Sequence, residues 1–570
     1  MTLLITSYIE KISRDPTIDW RIEKFRHLLA TGVPICLFTN NVDFQALQQE
    51  FPHLQVRFFD AIKIPYWLPK EYTLPVHRKE SKDTGHYIAL QHLKTYFVAE
   101  AIQEHSKKHD HYAWVDPHLF SLFSDKPRMA AWIRCLCNVS CADPTTLVIP
   151  GYNKFKTTQG TPTGCIEGTP TGGVDWRFLG GFFWGHRDAL LHFHDLVVKH
   201  CTHYVDVVCS GTLYWELNFW AWLEANAGLS VQWYAAGNDE TRLTHFPLRA
   251  VSKRLVTKVV PMQLPVRPGF QPSSLSHCYD AATGIHRWLV RYINYTLDAE
   301  RGCFIMHDTG GSIRSENLLV TSLDVACATD FSWIAFPPSP STTPLLSYGL
   351  EDARIFPYRG GLWAVGCNVD KTVEQRWPQM AVVKIEADAF QDMVVMPATH
   401  CEKNWIPTLF GGGSNDNDGD NHGDNHGDID FIYSWGARAI KWGRMNVDTG
   451  AWSLDDARSL DDLLAYPLLQ GAKGSSLFVP FRTPGSWVGV VHSTQYEEGR
   501  ALRNYWHHLV VMNDVKQVTA SYGPFYFDSV GVEYCIGFWY DGCDDTFHFW
   551  VSRVDADPVY VTVHADFLST

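Results

Sequence analysis

The run Gly349-Leu350-Glu351-Asp352-Ala353-Arg354-Ile355-Phe356 places two carboxylates and a guanidinium in one extended segment. Neighbouring side chains on a strand point to opposite faces, so one acid can enter a cavity while the other anchors structure. Arg354 then returns to the face of Asp352. Glycosyl cleavage requires a proton donor at the leaving oxygen, and a carboxyl group withdrawn from water supplies one. The planar fork of Arg354 suits a phosphate or a carboxylate. A structural Asp–Arg pair in a β-turn accounts for the same residues. Other polar–aromatic clusters follow: Glu402-Lys403-Asn404-Trp405, Val491-His492-Ser493-Thr494 and Arg503-Asn504-Tyr505-Trp506, with Arg291-Tyr292-Ile293-Asn294-Tyr295 upstream. Cations converging from several such segments would make an anion site beside a carboxyl acid. One acid with several cations fits phosphate as nucleophile better than a hydrolase, which uses two carboxyls about 5–5.5 Å or about 6.5–9.5 Å apart.

A second set lies in the first half. Trp114-Val115-Asp116-Pro117-His118 sets an Asp and a His on one side of an extended segment. That pair can hold Mn²⁺ or Mg²⁺ against a departing diphosphate, while a strand-terminating turn accounts for the same residues. Lys94 falls in a helical pattern just before, within reach of a diphosphate. Gly181, in Gly180-Gly181-Phe182-Phe183-Trp184-Gly185, permits close backbone approach beside rings able to stack on a sugar. Glu216, in Tyr214-Trp215-Glu216-Leu217-Asn218-Phe219-Trp220, is a carboxylate amid apolar neighbours.

Two textures must position these groups. Up to about Leu248, short apolar runs (Leu3–Ile9, Ile35–Asn40, Leu54–Asp60, Tyr112–Asp116, Thr146–Tyr152, Phe178–Trp184, Val231–Ala236) alternate with helical patterns such as Ile88, Leu93, Phe97 and Ile102. Continuous apolar strands between helices predict an α/β layer structure with ligands beyond the strands' carboxyl ends. From about Pro265, strand-length runs recur between Gly, Asp, Asn and Pro, among them Arg287–Ile293, Leu362–Val365, Met380–Ile385, Phe431–Trp435 and Thr546–Val551. About 300 residues at about 40–50 per blade fit a five-bladed β-propeller. We therefore expect domains at 1–250 and 265–570, a linker at 251–264, and a disordered Asp/Asn/Gly-rich insert at 411–428.

Composition narrows the classes. The 570 residues are 45% hydrophobic and 19% charged, which excludes a mainly disordered chain. The net charge of −14 leaves no basic footprint for tracking nucleic acid. Fourteen cysteines without recurring CxxC pairs argue against a disulfide scaffold or zinc finger. No run reaches the ~18–20 apolar residues of a transmembrane helix, and the first residues lack a basic region ahead of the apolar run. The expected address is the cytoplasm.

Two resemblances add to this reading. The landmarks LLITSYIE, CLFTN, the helix with Lys94, YAWVD, GGFFWG and YWELNFW over residues 3–240 resemble the HtrL/YibB-type family, which looks like a glycosyltransferase of the GT-A (Rossmann-like) fold. That resemblance implies sugar transfer from a UDP- or GDP-sugar, with Lys94, Asp116, Gly181 and Glu216 at the donor and Asp116 and His118 at a divalent metal. Residues 265–560 resemble the five-bladed mannoside phosphorylases and their relatives that transfer mannose from GDP-mannose, and Glu351-Asp352-Ala353-Arg354 resembles their Glu-Asp-Pro-Arg motif. It implies Asp352 as general acid, with Arg354, Lys403, His492 and Arg503 on phosphate or the donor's phosphates. Arg291, Asn294, Trp405 and Tyr505 are then sugar contacts. Together the halves imply an enzyme of glycan synthesis or remodelling. The alternatives are a transferase with a glycan-binding propeller, and a propeller phosphorylase or glycosidase with a degenerate first half.

Overall fold

In a computed structural model the chain divides into two units, Met1–Val251 and Ser252–Thr570. The structure describes all residues except 10–17, 61–64, 66, 153–156, 159–160, 163–173, 175, 256–258, 309–310, 327, 338–346, 369–377, 397–402, 411–427, 456–461, 497–500 and 570.

Strands of the first unit are β1 (Leu3–Tyr8), β2 (Ile35–Thr39), β3 (Leu54–Phe58), β4 (His111–Val115), β5 (Leu147–Gly151), β6 (Phe182–His186) and β7 (Gln232–Ala235). They form one sheet in the order β3-β2-β1-β4-β6-β5-β7. All pairings are parallel except those of β6, which runs against both neighbours. Every residue of β2, β4 and β5 is buried, as a sheet covered on both faces requires. The covers include α1 (Gly85–His92), capped by the Thr84 hydroxyl, α2 (Lys94–His105) and α3 (Arg187–His203). The expected strand at Phe178–Trp184 lies four residues later, because Phe178–Gly181 is the approach loop whose Gly181 carbonyl accepts the Asp116 amide (2.9 Å). Chain order reverses at β1: β2 and β3 extend the sheet one way, and β4 returns to the other side of β1. Such a switch opens a crevice above the carboxyl ends of the two strands.

The described residues of the second unit form five blade sheets, antiparallel except where Lys253–Arg254 and Ser347–Tyr348 add in parallel, plus a separate two-stranded sheet of Tyr295–Asp298 and Cys303–Met306. Blade 1 comprises Gln271–Asp280, Ile285–Ile293, Ile313–Ser322 and Asp330–Ile334; blade 2, Leu350–Tyr358, Gly361–Asn368, Gln379–Glu386 and Ala389–Val395. Blade 3 runs through Ile406–Thr408, Asp428–Trp435, Ile440–Asn446 and Trp452–Asp455. In blade 4 a split inner edge, Lys473–Gly474 and Val479–Pro480, precedes Ser486–Tyr496, Arg503–Asn513 and Val518–Tyr526. Blade 5 contains Glu533–Asp541, Thr546–Arg553 and Ala556–His564.

Five apolar clusters sit one at each blade junction and close the ring. Leu289 and Ile355 share the cluster between blades 1 and 2, Val365 and Phe431 that between 2 and 3, and Ile432 and Val491 that between 3 and 4. Leu509 and Phe549 share the cluster between 4 and 5, and Val290 and Trp550 that between 5 and 1. The stretch expected as a linker instead supplies edge strands: Lys253–Arg254 joins blade 4, and Val259–Pro261 completes blade 5 as its outermost strand. Residues 411–427 of the expected insert lie outside the described residues, and Asp428 already belongs to blade 3. Among the described residues no helix is long and apolar enough to cross a membrane.

Candidate functional sites

At the switch point of the first unit lies a cleft of about 660 Å³, floored by Ser7–Ile9 at the end of β1 and by Trp114 and Asp116 at the end of β4. Asp116 is 40% exposed and opens toward it. Its Oδ1 accepts from Trp114 Nε1 (2.8 Å), and Lys94 Nζ stands 3.6 Å away. Lys94 is buried and donates to Glu216 Oε1 (3.0 Å) and the Gly180 carbonyl (2.9 Å). Burial works against its charge, yet the carboxylates of Asp116 and Glu216 outweigh that and hold its proton more tightly than usual. The ammonium is therefore a shared internal counter-ion, and sequence reasoning that aimed Lys94 at a diphosphate overlooked that Glu216 faces it.

Gly180 and Gly181 are required by closeness. A Cβ on Gly180 would lie 2.6 Å from Glu216 Oε1, and one on Gly181 would lie 2.4 Å from Arg242 Nη1. Arg242 is the cleft residue that sequence reasoning missed. It follows the Asn238-Asp239 turn, donates Nε to the Gly237 carbonyl (3.1 Å), and bonds Asn238 through Nη2. Burial lowers its pKa, and Asp116 counters that. Exposed Lys79 and Lys82 and buried Arg21 also line the cleft, with Trp176 and Trp215 as aromatic walls.

The residues at Asp116 do not suit a divalent ion. One carboxylate oxygen already receives an indole N–H beside an ammonium, the second acid is neutralised by the same ammonium, and Arg242 adds another cation. His118 is half-buried, with its ring against Trp20 (5.6 Å) and its Nδ1 without a hydrogen-bond partner among the described residues; burial lowers its pKa, with Arg21 adding to the effect. Among the described residues, the group of three candidate ligands within 4.8 Å of one another is Asp545, His564 and Asp566, in the other unit.

In the propeller the strand alternation expected across 351–354 is broken. The pairing with the next strand shifts between Glu351 and Arg354, and Asp352 sits in the left-handed region at φ 47°. Glu351 and Asp352 consequently meet the same cation: Arg291 lies 3.4 Å from Glu351 Oε1 and donates to Asp352 Oδ1 at 3.1 Å. Ser274 Oγ also donates to Asp352 Oδ1 (2.9 Å), Ser347 Oγ donates to Glu351 Oε1 (2.6 Å), and Lys403 Nζ donates to Glu351 Oε2 (3.4 Å). Burial would raise the proton affinity of Asp352, but Arg291 and Lys403 outweigh it and leave the pKa below the ordinary carboxylate value. The direction is opposite to that of a resting proton donor. Asp352 remains one-quarter exposed.

Arg354 turns away from this group. It is 1% exposed, and its Nε, Nη1 and Nη2 donate to the carbonyls of Ser475, Asp352 and Gly474 (2.6, 3.0 and 3.1 Å) and to Tyr534 Oη (2.8 Å). It ties blades 2, 4 and 5 together and has no face left for a phosphate. His492 is likewise no cation: burial, with His507 adding, drives its pKa well down, and Nδ1 meets Ser475 Oγ (2.7 Å). Its ring stacks on Tyr505 (5.1 Å), which in turn lies under Arg503 (5.5 Å).

Two expected sugar contacts are structural. Asn294 is fully buried, donating to Asp308 and Ser312 and accepting from the Arg314 amide. Trp405 is core, packed on Phe431, Tyr433 and Trp452. Arg291 is a carboxylate clamp, again interior. Of the expected set, Asp352, Lys403, Arg503 and Tyr505 keep partial exposure.

No family model matches this chain, and no curated protein matches it. Among solved structures it is similar to a β-1,2-mannobiose phosphorylase from Listeria innocua, at 12% identity and a TM-score of 0.33, over 55% of this chain and 95% of that one. A GDP-mannose-dependent mannosyltransferase from Leishmania mexicana aligns at 9% identity and TM-score 0.32, over 55% and 90% of the two chains. An α-L-arabinofuranosidase from Lactobacillus brevis aligns at 14% and 0.28, over 47% and 82%.

Proposed function

We propose that the chain is a two-unit carbohydrate-active enzyme. In this reading the first unit transfers a sugar from a nucleoside diphosphate donor, and the propeller makes or breaks a glycosidic bond at Asp352. The observation that carries it is the cleft at the sheet's switch point, where an exposed carboxylate faces Arg242, Lys79 and Lys82 between tryptophan walls. A seven-stranded mixed sheet with its crevice at the strands' carboxyl ends supports a GT-A-like assignment. Side-chain cations then neutralise the leaving diphosphate in place of a divalent ion, and Asp116 accepts hydrogen bonds from sugar hydroxyls.

For the propeller, the Asp352–Arg291–Glu351–Lys403 cluster supports a glycoside site, and the likeness of residues 349–356 to the mannoside phosphorylase motif makes mannosides the first substrates. The phosphate site is reduced to Lys403 and Arg503, since Arg354 and His492 are committed elsewhere.

The test is incubation with UDP- and GDP-sugars, with Mn²⁺ and with chelator, and separately with short mannosides with and without phosphate. Nucleoside diphosphate release that chelation leaves unchanged within about twofold supports the first unit's assignment. No release from any donor refutes it, and a loss above tenfold on chelation refutes the side-chain neutralisation. Mannoside cleavage supports the propeller assignment; a sugar 1-phosphate product would restore the phosphorylase reading.

A further inference from the structure

The propeller carries a second carboxyl that nothing above uses. Val554 and Asp555 form the two-residue turn between Thr546–Arg553 and Ala556–His564 of blade 5, where Arg553 pairs with Ala556. Both turn residues are left-handed, at φ 53° and 55°. A β-branched residue there is strained and persists only because its surroundings hold it. What the turn presents is the Asp555 carboxyl, whose Oδ2 accepts from the hydroxyl of Tyr295 (3.3 Å), the first residue of the hairpin Tyr295–Asp298/Cys303–Met306 that follows the Arg291 strand of blade 1.

The groups facing Asp555 come from three other blades and from the hairpin that begins at Tyr295. Asp352 and Glu351 of blade 2, Arg291 of blade 1, Tyr295 of the hairpin after it, and Arg503 and Tyr505 of blade 4 interact with it electrostatically. On its own hairpin, Arg553 is turned to Asp528 and Asp557. Among the described residues no ion pair reaches the Asp555 carboxylate. Its setting is thus the reverse of that of Asp352, which Arg291 grips directly. Burial raises the pKa of Asp555 and the charge on Asp352 adds to this, whereas Asp352 itself is held low. Two neighbouring carboxyls driven apart in proton affinity divide the work of acid and base.

We propose that Asp555 is the proton donor of the propeller site and that Asp352 is its base. This rests on the glycoside reading given above. As the bond between the anomeric carbon and the glycosidic oxygen breaks, the bonding pair stays on that oxygen and the Asp555 proton joins it. Water bonds to the anomeric carbon and gives its proton to Asp352. One water is consumed, and exchange with solvent restores both carboxyls. The second acid makes hydrolysis, or transfer to an acceptor hydroxyl, the expected chemistry in place of phosphorolysis.

Asp555→Asn separates the possibilities when assayed on two mannosides, one with a 2,4-dinitrophenolate leaving group that departs without a proton and one with an alkyl leaving group that needs it. The expected loss on the alkyl mannoside is about 10²–10⁴-fold, with little change on the dinitrophenyl substrate and disappearance of the basic limb of the kcat/KM profile. Tyr295→Phe keeps the carboxyl and removes a bond that favours its anion, so the basic limb should move to higher pH. Wild-type turnover with Asp555→Asn matching it, or losing both substrates equally while still folded, overturns the assignment alone. If Asp555→Asn does not fold, an unmoved limb in Tyr295→Phe overturns it. No turnover of any mannoside by wild type overturns the glycoside reading itself.

Discussion

Replacing Lys94 with Met tests the account of the cleft most directly, because the stem is kept and the charge is lost. In the wild type the ammonium is 3.0 Å from Glu216 Oε1, with the two side chains only 4% and 5% exposed. Removing it leaves the Glu216 carboxylate enclosed without a counter-ion, a change that costs about 3–5 kcal/mol. Glu216→Gln is expected to cost less, about 1–3 kcal/mol, since Lys94 retains Asp116 and the Gly180 carbonyl. The double variant carries neither enclosed charge, so its cost should fall below the sum of the singles by about 2 kcal/mol.

The pH dependence has a definite sign. The Lys94 pKa is raised on folding, so its contribution is fully present below the unfolded lysine value near ~10.4 and is lost only as pH rises through the folded value. The Lys94→Met penalty should therefore be flat between about pH 6 and 9. Urea unfolding supplies the energies, and hydrogen exchange of peptides from residues 1–251 assigns them to the first unit. A Lys94→Met cost below about 1 kcal/mol, or additivity in the double variant, refutes the shared counter-ion.

Three further outcomes are expected. Asp352→Asn should abolish mannoside turnover by about 10²–10⁴-fold while nucleoside diphosphate release by the first unit is unchanged; steady-state assay of both activities on one preparation checks this. Gly181→Ala forces a Cβ to within 2.4 Å of Arg242 Nη1 and 3.2 Å of Asp116 Oδ2, so donor binding measured by calorimetry should weaken about tenfold or more while the melting temperature of the propeller holds. Glu351 and Asp352 both have lowered pKa values, although burial opposes it, because Arg291 and Lys403 lie beside them. Their stabilisation is present above the unfolded carboxylate range and is lost as pH falls through the folded values, so acid unfolding of the propeller should shift toward neutral pH in Arg291→Met.

The parts of the fold legible in the sequence are those set by unbroken apolar runs. Ile35–Thr39 and His111–Val115 are flanked by polar turns, buried on both faces, and leave the chain few places to go except the centre of a sheet. The strand expected at Phe178–Trp184 starts later, at Phe182, because apolarity alone does not say where an approach loop becomes a strand. In the propeller the length of about 300 residues at about 40–50 per blade fits five blades, but the faces of Glu351 and Asp352 depend on a bulge and one left-handed residue, and neither has a signature in residue type. Arg354 read as an anion ligand because its partners, the carbonyls of Gly474 and Ser475 and the Tyr534 hydroxyl, are some 120 to 180 positions away. Asp555 was hidden for another reason: Asp in a tight turn is ordinary turn chemistry, and only tertiary placement distinguishes this one. Arg242 sits on a single helical turn with no periodicity to mark it.

Both units use the same electrostatic device. A buried cation is shared by two acids, one nearly enclosed and one more open: Lys94 between Glu216 and Asp116, Arg291 between Glu351 and Asp352. The enclosed acid fixes the cation, and the cation in turn orients the open acid. In the propeller this also keeps Asp352 ionised, and an anion at that position repels phosphate unless other cations offset it. Lys403 already leans on Glu351, so Arg503 is the remaining cation of the expected set with no carboxylate within ion-pair distance among the described residues. One guanidinium opposite a fixed carboxylate is a weak cradle for a dianion and an adequate one for a neutral sugar with its hydroxyls. The charge arrangement thus favours water or an acceptor hydroxyl as the nucleophile, with Asp352 taking its proton, and assigns the task of protonating the leaving group to a carboxyl that no guanidinium holds.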